Sequence, residues 1–535
     1  MLQPDVLKSS DPLPWSVGAG VDAWQMFRAA IAGDVAALAR LLDTDPALVR
    51  SMHEYRTALY FAVRENQLDA ARLLIARGAV LHHSLDRLRE MTRDRGFAQM
   101  DRLLTETLSS TWNVSERGET IAAAIRERDA TKTLALLDAS PDAVREADEG
   151  TNQPIHWAVM TRQIGLIDDL IARGADVNAP RADGARPIQL TNGDYSYRGW
   201  RDVPEDIATK PRDVLAHLRR RGAHVDICTA SHIGDLPRVR DLLDGDPSLA
   251  NRPSPYVSYY ACSGTPLRNA AGGGHIDIVR LLLERGADPN LAEEHIAPRG
   301  HALHAAVCNG HRAIVELLLA HGAYANVEIE SSADTLSAAI RNDDAAMVEL
   351  LCANGAARKV HLLAYYGDVQ TAAAVFAANP ALADDGAALV NAARGGQEAF
   401  VRLMLHHQPS LPARVSVGAR TAELTALLFA HGMTPNVPNW LHVTALHECA
   451  RHGDVDNARL FIDRGADLHA RDEEYLSTPL GWAARHGQVA MTELLLARGA
   501  KTNLPDDPPW ATPLAWATRR GHLPVVELLT RHRAS

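Results

Sequence analysis

The chain has 535 residues, 46% of them hydrophobic, 23% charged and 5% aromatic, with a formal net charge of −11. These shares are those of a globular protein, and the acidity removes the electrostatic footprint expected of a nucleic-acid binder. No apolar run approaches the roughly 18 residues of a membrane span, and residues 1–20 hold one basic residue, Lys8, and no secretory core, so a soluble cytoplasmic chain is expected.

After an N-terminal segment, 1–23, the sequence reads as a succession of helix pairs. The first fall at about 24–51, 56–81, 86–108, 119–146, 152–178 and 184–224. Others follow at about 227–251, 264–290, 300–326, 333–358, 360–383, 386–410 and 413–437, and the last at about 443–469, 477–503 and 511–533. The wording is clearest in Gly264-Thr265-Pro266-Leu267-Arg268-Asn269-Ala270-Ala271, closed by Leu281-Leu282-Leu283-Glu284-Arg285-Gly286-Ala287-Asp288. Thr before the first helix can cap its free N–H groups, and Pro loses nothing at the first helical position. Leu and paired Ala make a narrow apolar stripe, the Leu run buries the second helix, and Gly ends each helix in a left-handed conformation.

Gly300-His301-Ala302-Leu303-His304, Ser477-Thr478-Pro479-Leu480 and Thr512-Pro513-Leu514 repeat that wording. A period of roughly 33 with these signals resembles the ankyrin repeat. The resemblance implies an all-α solenoid of roughly sixteen paired-helix units with β-hairpin or loop fingers, which nearly exhausts the chain. Residues 24–251 form N-terminal repeats, 252–358 consensus-like central repeats, 359–437 degenerate repeats, and 438–535 consensus-like C-terminal repeats with a cap. The units at 86–108 and 413–437 are the most degenerate. In a second rhythm, units ending at Pro46, Pro141, Pro247 and Pro380 place Pro where Gly-Ala-Asp would stand, marking blocks of three or four repeats.

One unit departs from the pattern. Between about 191 and 211 it carries Asn192-Gly193-Asp194-Tyr195-Ser196-Tyr197-Arg198-Gly199-Trp200-Arg201-Asp202 before its second helix resumes near Asp213. An insertion in a solenoid lies on the surface, because the stacking core tolerates none. Its aromatic and charged residues suit a ligand contact, or equally a plug folded over neighbouring helices. Elsewhere aromatics gather just before repeat helices, where the resemblance places the fingers that line the concave face. The candidate contact residues are therefore Tyr55 and Arg56; Tyr195, Tyr197, Arg198, Trp200, Arg201 and Asp202; Tyr256, Tyr259 and Tyr260; Trp440 and His442; Tyr475; and Trp510.

Catalytic and metal constellations are weak. His156, His304 and His447 fill the His of the Thr-Pro-Leu-His wording and are expected to hydrogen-bond inside the stack. Cys262, His295, His301, His304 and Cys308 cluster in sequence without matching a zinc spacing, so no metal, cofactor or catalytic set is assigned. His53, Glu54, Tyr55 and Arg56 in one finger, or His442 with Glu474 in others, could supply acid and base only if distant fingers converge. Five cysteines scattered over different units argue for reduced thiols, not a disulfide framework. The expected function is a scaffold binding a neutral or basic protein or peptide, with a small molecule as a further possible ligand, and neither nucleic acid nor membrane as partner. The alternatives are an enzyme whose pocket is closed by the 191–211 loop, and a secreted effector binding host proteins.

Overall fold

A computed structural model describes residues 1–79, 85–330 and 333–534. It contains thirty α-helices among the described residues, almost all in antiparallel pairs. The pair Pro266–Gly272 and Ile276–Glu284 shows why the repeat wording works. The Thr265 hydroxyl accepts from the N–H of Arg268 at 3.1 Å, and Pro266 opens the helix. Gly274, at φ 77°, turns the chain into the second helix, whose Ile278, Val279 and Leu282 are buried. Those side chains meet Leu303, Val307 and Leu318 of the next repeat in one continuous core. Each such burial contributes on the order of 1.5–3 kcal/mol that an isolated repeat would forgo.

Polar groups are satisfied between repeats in the same periodic manner. Gly-Asp steps do two jobs: Gly33, Gly234, Gly367 and Gly453 take the left-handed conformation, and the following Asp caps the second helix. Asn251, Asn290 and Asn326 each donate to the carbonyl of a later repeat's Gly286, Gly322 or Gly355, at 2.7, 2.8 and 2.8 Å. His275 and His522 reach the carbonyls of His232 and Arg485, at 2.9 and 3.1 Å, where Gln67 does the same for Ile31 at 3.0 Å. Each bond stitches one repeat to its neighbour.

His156 and His447 bridge repeats as expected. The His156 Nδ1 accepts from the Gln153 N–H at 3.0 Å and its Nε2 donates to the Ala179 carbonyl at 2.9 Å. His447 does likewise with Thr444 and Ser477, both at 3.2 Å. His304 differs: its Nε2 meets the Cys308 Sγ at 3.2 Å, and His301, which stands where Thr444 does in the His447 repeat, pairs with Glu293.

Two units depart from the paired pattern. In the unit at 184–224 the first helix shrinks to a 3₁₀ turn, Pro187–Leu190, before the insertion, and Pro211–Arg220 supplies the second helix. The unit at 413–437 has a single α-helix, Ala422–Ala430, after a 3₁₀ turn at Leu411–Arg414. By contrast the unit at 86–108 forms two full helices, Leu85–Arg95 and Ala98–Trp112. The end of the unit read at 56–81 lies outside the described residues. The Pro-marked units each close on a 3₁₀ turn, at Pro46–Arg50, Pro141–Arg145, Pro247–Asn251 and Pro380–Ala383. Among the described residues the fingers include two short antiparallel hairpins, Met52–His53 with Arg56–Thr57 and Glu328–Ile329 with Ala333–Asp334; other fingers are loops.

The repeats sort into two compact units. One comprises Ser10–Arg89 and Ala98–Ala357; the other comprises Met1–Ser9, Glu90–Phe97 and Arg358–Ser535. No helix among the described residues is long and apolar enough to cross a membrane.

The bridging histidines couple stability to pH. Burial, with Arg181 nearby, lowers the fully buried His156 from 6.5 to about 4. Between those values the unfolded chain binds a proton that the folded chain refuses, so this stabilisation is complete above pH 6.5 and is lost as pH falls. Its full loss is worth on the order of 3 kcal/mol. The urea midpoint should therefore drop between about pH 7.5 and 5, and His156→Gln should flatten that slope. A wild-type midpoint independent of pH would contradict this account.

Candidate functional site

The insertion is a built structure anchored from below. Asp194, buried near its start, accepts backbone N–H bonds from Ser196 at 2.8 Å and Tyr197 at 3.0 Å. Its second oxygen pairs with the buried Arg181 at 2.5 Å. Arg181 also grips Asp183 through two bonds of 2.8 and 2.6 Å and donates to Asn152 at 2.7 Å. Gly193, at φ 78°, is required here: a Cβ would stand 2.0 Å from the Tyr197 carbonyl oxygen. Arg162 secures the far side by donating to the Gly199 carbonyl at 2.7 Å.

This frame divides the loop's side chains into two classes. Tyr197 packs its edge on Trp157 at 5.8 Å and donates to the Asp202 carbonyl at 3.0 Å, so it acts as the plug. Asp202 accepts from the Arg198 N–H at 2.7 Å and pairs with Arg201 at 2.7 Å, holding the loop closed. Tyr195 and Trp200 face outward, 75% and 62% exposed. The Arg198 guanidinium lies 5.2 Å from the Tyr195 ring, and Trp200 stacks on Tyr260 at 5.7 Å.

Fingers far apart in sequence converge beside this loop. Glu54 and Tyr55, at φ 47° and 62°, form the tip of the Met52–Thr57 hairpin in a conformation that usually requires Asn-Gly. That tip presents Tyr55, which is 61% exposed. The Tyr259 hydroxyl donates to Glu330 Oε2 at 2.6 Å across 71 positions of sequence. Burial, then a hydrogen bond to the same Glu330, raises the Tyr55 phenol to about 12, with Tyr195 a further neighbour. The Tyr259 phenol is raised by the same two causes, in the same order. At neutral pH both phenols are thus protonated hydrogen-bond donors and not bases. Nearby, Arg50 clasps Glu294 by bonds of 2.9 and 3.2 Å, and His295 meets both Glu294, at 3.1 Å, and the Trp15 carbonyl, at 3.1 Å.

Other predicted contact residues lie elsewhere. Tyr256 and Trp440 are buried, 1% and 7% exposed, and pack their fingers, so they leave the contact set. Arg56 turns back to the Glu54 carbonyl at 2.9 Å, with its guanidinium 5.8 Å from the Tyr60 ring. His442, Tyr475 and Trp510 belong to the unit that includes Arg358–Ser535. There the His442 Nδ1 lies 3.0 Å from Glu473, not on Glu474, whose backbone is tied into an Asp472 turn.

The His and Cys residues grouped by sequence do not assemble into one site. His301 pairs with Glu293 at 2.6 Å. Burial alone would raise the Glu293 carboxyl, but His301, Arg268 and the Thr265 N–H outweigh it and hold it at about 2. Both partners are buried, and Glu293 serves to cap the Thr265 N–H at 2.9 Å. Burial pushes the Cys262 thiol up to about 12. Among the described residues no cluster of three or more His, Cys, Asp and Glu is placed to hold a metal ion.

The family model described as Ankyrin repeats (3 copies) matches residues 227–330, 411–506 and 446–535, and that of the single Ankyrin repeat matches 54–85. The chain is an ankyrin-repeat protein. Ankyrin repeats are a protein-interaction scaffold, and the exposed finger residues above are the parts of that scaffold not consumed by stacking. Among curated proteins the chain is similar to E3 ubiquitin-protein ligase XBAT32 of Arabidopsis thaliana, 27% identical over 196 residues, or 34% of this chain and 39% of that protein. It is also similar to E3 ubiquitin-protein ligase XB3 of Oryza sativa subsp. japonica, 36% identical over 76 residues, covering 14% and 16% of the two chains. The probable E3 ubiquitin-protein ligase XBOS33 of the same rice is 42% identical over 65 residues, 12% of each chain. The chain thus spans about two fifths or less of the length of these relatives.

Glu330, Arg50, Glu294 and Arg181 escaped the sequence reading, since their partners are set by how the ankyrin stack turns. Only Arg181 carried a local signal, an Arg-x-Asp pair just before the departing unit. The insertion's anchor is testable. Asp194→Ala removes a buried partner of Arg181 and two turn bonds, which should destabilise this unit by about 3 kcal/mol. Limited proteolysis should then cut first within 191–211; an unchanged cleavage pattern and melting midpoint would contradict the anchor.

Proposed function

We propose that this ankyrin protein binds a protein or peptide through the surface where Tyr55, Tyr195 and Tyr259 gather around Glu330, extended by Trp200 on Tyr260. The observation that carries this reading is the exposure of four large aromatics on fingers distant in sequence, each held by a finger or an anchored loop. Tyr and Trp give large contact area at low entropic cost, and the phenol groups offer donors. The Glu330 carboxylate and the electron-rich rings favour a ligand with a basic side chain, as does the chain's negative charge. The likeness to ubiquitin ligases covers too little of those proteins to carry their activity to this chain.

The test compares partners captured from native extract by wild type and by Tyr195→Ala/Trp200→Ala. Recovery of specific partners should fall about tenfold or more, as expected for losing hot-spot aromatics. Unchanged partners with a folded double variant would overturn the reading.

Tyr55 supplies a second check. Its left-handed backbone costs on the order of 1 kcal/mol, which glycine would relieve. Tyr55→Gly should leave the denaturation midpoint unchanged or raised while partner recovery falls. A variant that loses stability and binding in parallel would mark Tyr55 as a packing residue instead.

A further inference from the structure

The turn between the two helices of a repeat takes a left-handed residue, which is Gly at positions such as Gly33, Gly234, Gly453 and Gly487. Asn66 and Asp343, residue types that tolerate the conformation, stand there in two repeats. Two successive repeats place Arg there instead, Arg128 at φ 60° and Arg162 at φ 59°. A long side chain gains nothing from this backbone, which costs energy that Gly escapes. Stitching of the stack does not call for it either, since Gln163 already donates to the Ile125 carbonyl at 2.9 Å between the same two repeats. An outlier kept in two neighbouring turns points to a task for the side chains.

The two guanidinium groups come together under the insertion. Arg128 donates to the Thr161 carbonyl at 2.6 Å, directly before Arg162, and Arg162 donates to the Gly199 carbonyl at 2.7 Å. Both lie beside the Tyr197 phenol, whose ring sets its edge against Trp157 at 5.8 Å. Among the described residues neither guanidinium makes a further hydrogen bond or an ion pair. The carboxylates of the surrounding elements are engaged elsewhere: Glu119 with Arg126 at 3.5 Å, Glu127 with Lys132 at 3.5 Å and Asp202 with Arg201 at 2.7 Å. Asp129 accepts from the Lys132 N–H at 2.8 Å and Asp148 from the Trp157 indole at 2.6 Å. Arg162 is 9% exposed, and its Nε is buried without a partner. Arg128 and Tyr197 are half-buried, which leaves an approach from solvent on their side. Two neighbouring cations with no anion repel each other, and the buried one has also lost its water.

We propose that Arg128 and Arg162, with Tyr197 beside them, form a binding site for a phosphoryl group. Two uncompensated guanidinium charges match the near-dianion of a phosphate monoester, whereas a carboxylate would leave one of them unpaired. The donors come from two separate turns, and a phosphoryl group has three oxygens to share between them. A phosphorylated side chain of a partner and a free phosphate have this chemistry in common. The site is independent of the tyrosine surface around Glu330, none of whose residues it uses.

The probes are inorganic phosphate and the peptide acetyl-Gly-phosphoserine-Gly-amide, titrated calorimetrically into the full chain at fixed ionic strength in chloride. At least one should bind saturably below about 10 mM, with sulfate competing and acetate not. Arg128→Gly and Arg162→Gly should each weaken that binding about tenfold or more. Other repeats use Gly at this turn, so the denaturation midpoint of Arg128→Gly should stay unchanged or rise, which keeps loss of binding apart from loss of fold. Tyr195→Ala/Trp200→Ala should retain the binding. Tighter binding of the peptide assigns the site to a phosphorylated partner, and equal or tighter binding of phosphate assigns it to a free anion. No saturable binding of either probe, equal binding of acetate, or unchanged affinity in both glycine variants would overturn the proposal.

Discussion

An ankyrin repeat cannot cover its own apolar face. Its two short helices bury Leu, Val and Ala only against the next repeat, as Leu282 does against Leu303 and Leu318. Everything else in the chain is arranged around that requirement. Helix interiors are committed to stacking and their ends to capping, by Thr265 on one helix and Gly-Asp steps on the next. The carbonyls left over are taken by Asn, His and Gln from neighbouring repeats. The exposed aromatics Tyr55, Tyr195, Trp200 and Tyr259 accordingly lie on fingers and on the insertion.

Fingers gain chemistry by meeting. Within the unit that holds the insertion, residues 71 and 244 positions apart close the Tyr259–Glu330 and Arg50–Glu294 contacts. One consequence is a surface whose aromatics belong to several repeats yet face one region. Another is electrostatic: protonated phenols beside a carboxylate make donors, an acceptor and aromatic rings available together.

Much of this was legible in sequence, for physical reasons. Thr-Pro-Leu, the Leu runs and the closing Gly each encode a local conformational demand, so sixteen units could be placed from residues alone. The insertion announced itself by interrupting the period, and Tyr55, Tyr195, Trp200 and Tyr259 are exposed. The same reasoning failed where fate depends on a neighbour. Tyr256 and Trp440 occupy finger positions like Tyr259 but turn inward, because burial is decided by the adjacent repeat and not by the local words. His304 meets Cys308 instead of making its expected bridge, in a helix where His301 takes the place of the capping Thr. Glu330 and Glu294 carried no local signal at all, their roles arising from superhelical geometry.

The claim on which this account turns is that fingers distant in sequence serve one ligand. Photo-crosslinking tests it directly, with a benzoylphenylalanine placed at Tyr55, at Tyr195 and at Tyr259 in three separate full-length chains. The account predicts that all three capture the same partner, at neighbouring positions of that partner's sequence. Capture of unrelated proteins by the three chains, or by none of them under conditions where wild type binds, would contradict it.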